Sequence, residues 1–149
     1  MSLRNDITDG LHAATKLIKT QSGYDIHFEE TSGLIVNLAD LTRHRTPLLE
    51  IIDGGNEEKL VETSTGQLYR WDLILRGSSR VRENDIHEEL NKILSTLKQW
   101  AFTVTPSTIH ANVLNVKFQN VSAAGLVENT EYAAMEVGIR ILYHTVGDY

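Results

Sequence analysis

Six histidines stand at His12, His27, His44, His87, His110 and His144, and no two fall at i, i+2 or i+4. Those are the separations at which neighbouring imidazoles most readily share one metal ion. His87-Glu88-Glu89-Leu90 opens like a zinc-protease helix, but Asn91 occupies the position four residues on where the second His belongs. Gly54-Gly55 lacks the Lys-Ser/Thr of a phosphate loop and does not open a helix. Ser78-Ser79, lying ahead of a helical pattern, reads as an N-cap rather than a nucleophile. Glu57-Glu58 and Glu88-Glu89 can be drawn as acid/base pairs, but adjacent carboxylates on a polar loop or helix face are ordinarily solvated. With no cysteine in 149 residues, disulfides, thiolate zinc sites and thiol catalysis are excluded. No motif demands an enzyme, a metal or a cofactor.

Charge supplies the next candidates. Arg43-His44-Arg45, together with Arg76, Arg80 and Arg82, are the basic clusters of a chain whose net charge is −6. They read either as contacts to an acidic partner or a neighbouring copy, or as plain solvated loops. In an enzyme with a site between subunits, Arg43, His44 and Arg45 would bind an anionic substrate, with His87 or His144 as the base. The acidic balance argues against a general nucleic-acid surface, which needs a basic face. The apolar run Leu34 to Leu38 is interrupted by Asn37 and far too short to cross a membrane. Arg4, Asp6 and Asp9 stand where an export signal needs an apolar stretch, so nothing marks the chain for export and the expectation is a soluble chain made in the cytoplasm.

The elements that position these residues follow from periodicity. Leu3, Ile7, Leu11, Ala14 and Ile18 share one helical face, predicting a helix over residues 3 to about 20 that Thr20-Gln21-Ser22-Gly23 ends. Gly10 inside that pattern is either a close-packing site or a tolerated defect. Leu34 to Leu38 reads as a first strand. Pro47 opens a second, Leu48 to Ile52, which Asp53-Gly54-Gly55 closes. The polar stretch from Gly54 to Gly66 reads as a loop or a protruding hairpin with Leu60 and Val61 in its stem. Tyr69, Trp71, Leu73 and Leu75 alternate with polar neighbours in the clearest strand, stopped by Gly77-Ser78-Ser79. Ile86, Leu90, Ile93, Leu94 and Leu97 form the stripe of a second helix over residues 83 to 99, acidic at its start and with Lys92 and Lys98 later, and Pro106 marks a loop beyond.

Two further strands close the chain. In Val113 to Gln119, Leu114, Val116 and Phe118 share a face. In Tyr132 to His144, Met135, Val137, Ile139, Ile141 and Tyr143 do. Asn120 to Glu131 between them reads as a second loop. Clean alternation favours antiparallel pairing with one face buried. The expectation is therefore one α+β domain spanning residues 1–149, a mostly antiparallel sheet with two amphipathic helices on one side.

This order of segments resembles the tail terminator (tail completion) and head–tail connector proteins of long-tailed bacteriophages. The likeness rests on a first helix with Ile7, Leu11 and Leu17-Ile18, and on Thr46-Pro47-Leu48-Leu49-Glu50-Ile51 followed by Gly54-Gly55-Asn56-Glu57-Glu58. It extends through the strand Tyr69 to Gly77, the helix with Ile86, Leu90, Ile93 and Leu97, and a last strand carrying Val137 to Tyr143. The resemblance implies a virion structural protein at the head-proximal end of the tail. A homohexameric ring would cap the tail tube, stop its polymerisation and present a surface to the head-completion protein. DNA would pass through the hole unbound, past six copies at −6 each. The segment Gly54, Gly55, Asn56, Glu57, Glu58 and Lys59 is the first candidate for contact with the tube or a neighbouring subunit, with Arg43, Arg45, Arg80 and Arg82 as charged candidates. An oligomeric adaptor domain of a cellular assembly is the alternative among non-enzymes.

Overall fold

The computed structural model describes residues 2–33, 45–80, 85–126 and 131–146. Helix α1 (Leu3–Thr15) leads through a short 3-10 turn (Thr20–Ser22) to β1 (Glu30–Ser32). Next come β2 (Leu48–Thr63), β3 (Gly66–Arg80), α2 (Ile86–Thr103), the single turn α3 (Pro106–Ile109), β4 (Val113–Leu126) and β5 (Tyr132–Val146). The five strands form one sheet in the order β1-β2-β3-β5-β4. Among the described residues only the β1–β2 pair is parallel. The fold is α+β, and the predicted run Leu34 to Leu38 lies outside the described residues.

One face of the sheet carries the core. Leu49 and Ile51 of β2, Trp71, Leu73 and Leu75 of β3, and the alternate residues Met135 to Tyr143 of β5 are buried there. Ile7 and Leu11 of α1 and Ile93, Leu97 and Trp100 of α2 pack onto them. Two-residue strand periodicity and helical stripes thus meet at one apolar layer, as the sequence predicts. On the opposite face Arg76 bridges buried Glu50 at 3.3 Å and Glu136 at 2.7 Å, while Arg140 holds Asp72 at 2.8 Å.

Gly10 settles as a close-packing site. A Cβ there would lie 1.8 Å from the carbonyl oxygen of Ile109, so α1 meets α3 backbone to backbone.

Several boundaries differ from expectation, each for a physical reason. Helix α1 ends at Thr15, whose hydroxyl donates back to the Leu11 carbonyl at 2.9 Å, and Gly23 closes the following 3-10 turn rather than the helix. Asp53-Gly54-Gly55 does not close β2. Asp53 pairs with Leu73 and Asn56 with Asp72, so the two glycines form a bulge and the strand continues. Gly55, at φ +82°, supplies the left-handed residue, and its N–H donates to Asp53 Oδ1 at 2.8 Å. The stretch Gly54 to Gly66 is therefore the protruding hairpin, turning at Ser64-Thr65 between paired Thr63 and Gly66.

Gly77-Ser78-Ser79 likewise does not stop β3. Ser78 and Ser79 are buried in the middle of the sheet, paired with Ala134 and Ala133, and α2 begins after Asp85, so neither serine caps it. The helix runs to Thr103, and Pro106 opens α3 instead of a loop. Asn120 to Leu126 is strand, completing β4 against β5. Leu114 leaves its predicted face because the register shifts between Val113 and Asn115. Val113 and Val116 take the buried positions, and Leu114 is 49% exposed.

Candidate functional site

The hairpin leaves the core at Asp53 and is solvent-exposed from Gly55 to Thr65. At its root, on the helix-bearing face, side chains from four elements converge. Arg4 reaches in from the first turn of α1 and lies 4.5 Å over the Trp71 ring. Its Nη2 donates to Asp53 Oδ2, and its Nε sits 3.3 Å from Glu57 Oε2 without hydrogen-bond geometry. Asp53 Oδ1 also accepts from the Trp71 indole N–H at 3.1 Å. Tyr143 donates its hydroxyl to Glu57 at 2.7 Å, meets Trp71 edge-on at 6.4 Å and stacks on Tyr69 at 5.3 Å.

A cleft of about 400 Å³ opens beside this cluster between α1 and the sheet, lined by Ser2, Arg4, Asn5, Thr8, Asp53 and Trp71 among others. The charges around it are fixed at neutral pH. Partial burial works against the Asp53 carboxylate, but the Gly55 N–H, the Trp71 N–H and Arg4 outweigh it and hold its pKa below the usual value. Burial, followed by the bond to Glu57 and that group's charge, pushes the Tyr143 hydroxyl well above its ordinary value near 10. At neutral pH the Asp53 carboxylate is therefore held ionised and the Tyr143 hydroxyl neutral. The aromatic and ionic contacts tie α1 to the hairpin root and fix the direction in which the arm leaves the core.

Two expectations follow. A phenol whose pKa is raised by folding contributes stability that is intact below its unfolded value and is lost as pH rises past it. Thermal stability should therefore fall above about pH 10, and Tyr143→Phe should flatten that alkaline decline, read by melting curves and phenolate absorbance. Arg4→Ala should change the melting temperature little, since the Arg4 side chain is 40% exposed. Amide exchange from Gly55 to Thr63 should nevertheless rise clearly, and unchanged exchange would show that Arg4 braces nothing.

The residues singled out in the sequence are dispersed. Gly54 and Gly55 form the bulge, Asn56 is exposed, and Glu57 joins the root cluster. Glu58 pairs with Arg70 across the hairpin, and Lys59 with Glu62 at 2.9 Å. Arg45 holds Glu30 through its backbone N–H at 3.0 Å, and Arg80 holds Glu131 at 2.7 Å. Both lie at the end of the sheet away from the hairpin tip. Arg43, His44 and Arg82 fall outside the described residues. His87 is exposed on α2 and His144 lies near the hairpin end of β5, among Val61, Gln67 and Thr145. Among the described residues no cluster of three His, Asp or Glu is placed to hold a metal ion. Arg4, Asp53, Trp71, Tyr69 and Tyr143 are the residues sequence reasoning missed. Their only signal is an unusual concentration of aromatic residues on one strand face.

No protein-family model matches this chain, and no curated protein matches its sequence.

Proposed function

We propose that the chain is a virion structural protein of the tail terminator type. In this reading it forms a ring on the finished tail tube, stops tube growth and offers a surface to the head-completion protein. The observation that supports the reading best is the β2–β3 hairpin. It is a long arm with exposed Leu60 and Val61 flanked by Glu57, Glu58 and Glu62, braced at its root by Arg4 and Trp71. A stiff arm loses little entropy on docking, which suits contact with another protein surface. The net charge of −6 suits a lumen past which DNA slides without adhering.

The test is location. Particles made by the genome that encodes this chain should contain it, with a labelled antibody marking the junction of head and tail. A chain absent from purified particles, or spread along the tail, would contradict the proposal.

A further inference from the structure

Among the described residues the sheet is open on both sides, and the two open edges are unlike. Strand β1 covers only Leu48, Leu49 and Glu50 of β2, so among the described residues no strand pairs with the outer edge of β2 beyond them. On the far side, among the described residues, β4 pairs with β5 alone. From Asp53 onward the β2 edge carries Asp53, Glu57, Glu58 and Glu62 against a single Lys59, with Leu60 and Val61 exposed. The β4 edge carries one charged residue, Lys117, which is exposed and makes no ion pair with any described residue. Beside it Lys98 of α2 lies 5.4 Å from the Phe118 ring, and Phe102, Leu114 and Val121 are exposed apolar residues. One edge is acidic and the other basic, each with apolar side chains among its charges.

Strand direction and height match as well. Every pairing from β2 through β3 and β5 to β4 is antiparallel, so β4 runs opposite to β2. A second copy set beside the first, with its helices on the same face, brings its β2 antiparallel to β4. The rows across the sheet align too. Asn56, Asp72, Arg140 and Lys117 share one row; Glu57, Trp71, Ile141 and Val116 the next; Glu58, Arg70, Leu142 and Asn115 the third. Asn56–Lys59 and Asn115–Phe118 are also stretches without a register shift, although both strands bulge elsewhere. Bulges usually spoil an edge for pairing. Here they leave the facing rows regular.

We propose that β4 of one copy pairs with the free edge of β2 on the next, head to tail, with Lys117 diagonal to Glu58 of its neighbour. A contact between unlike surfaces propagates, closing into a ring when its rotation divides a full turn and otherwise extending as a filament. The contact specifies how the ring of the proposed function is joined, but it is argued from the sheet alone and is testable apart from any tail.

The chain has no cysteine, so engineered pairs report without background. Glu58→Cys and Asn115→Cys place the two thiols in one row but at opposite edges of a single chain, about 14 Å apart across three strand spacings. That is beyond disulfide reach, so only chains in contact can link. Oxidation of the concentrated double variant should give a ladder at multiples of 16.8 kDa. Each single variant should stay monomeric, and mixing the two should give dimers. In the chain that keeps Glu58, Lys117→Glu should weaken self-association about fivefold, read by sedimentation across concentration. Monomer from the double variant, equal linking in urea, self-association indifferent to Lys117→Glu in the chain that keeps Glu58, or dimers from Asn115→Cys alone would each overturn the proposal. A ladder from a chain that fails to cap tubes overturns the terminator reading and keeps the contact. Capped tubes without a ladder do the reverse.

Discussion

Trp71→Ala is expected to lower the unfolding free energy by about 3–5 kcal/mol, the range for truncating a buried indole. Trp71 is 2% exposed at the centre of the sheet and serves two structures at once. Its ring fills the layer beneath α1 and meets Tyr143, while its N–H holds Asp53 and its face carries Arg4. Alanine removes all of these and leaves the Asp53 carboxylate with one donor fewer. Trp71→Phe keeps a ring under Arg4 and loses the N–H, so its cost should be smaller, about 1–2 kcal/mol. Chemical denaturation of both variants checks the order. A loss below about 1 kcal/mol for Trp71→Ala would mean that the ring is not packed as described.

The second large effect is expected at Gly10. Alanine is the better helix former by about 1 kcal/mol, so propensity alone predicts stabilisation from Gly10→Ala. The contact predicts the opposite. A Cβ 1.8 Å from the Ile109 carbonyl oxygen requires α1 and α3 to separate, and such overpacking costs about 1–3 kcal/mol or more. The melting temperature should therefore drop by several degrees, on the order of 3–8 °C for a chain of this size. A rise would show that the helices separate freely and that the glycine is only tolerated.

The parts of the fold that were legible in the sequence are those where one periodicity runs unbroken. The stripe Ile86 to Leu97 and the alternations of β3 and β5 each bury one regular face, so residue type alone reveals them. The edges of the sheet were less legible because bulges interrupt the period of two. Alternation places Leu114 with Val116 and Phe118, and a single register shift turns it outward. Asp53-Gly54-Gly55 reads as the close of a strand because a chain reversal and a bulge ask for the same thing, a residue free to adopt positive φ beside a side chain that caps a backbone N–H. Only the continued pairing with β3 distinguishes them, and that information lies in residues 66 to 80. Ser78-Ser79 failed as an N-cap for a related reason, since small polar residues fit a crowded sheet as well as a helix start.

Beyond Glu57 and the aromatic residues Tyr69 and Trp71 on one face of β3, nothing in the sequence marks the root cluster. Arg4 and Asp53 lie 49 positions apart and Glu57 and Tyr143 lie 86 apart, and no local pattern links them. Arg4 sits on the polar face of α1, where any long charged side chain would satisfy the helical pattern. The hairpin that it braces was nevertheless visible in outline, because a polar run between two strand patterns has few other destinations.

A chain with the proposed function ends a growing tube. The direct measurement is the length distribution of tubes assembled from the tail tube protein of the same genome, with and without the chain, by negative-stain electron microscopy. Added chain should arrest growth and appear as extra density at one end of each tube. Tubes that continue to lengthen with bare ends at saturating chain would contradict it.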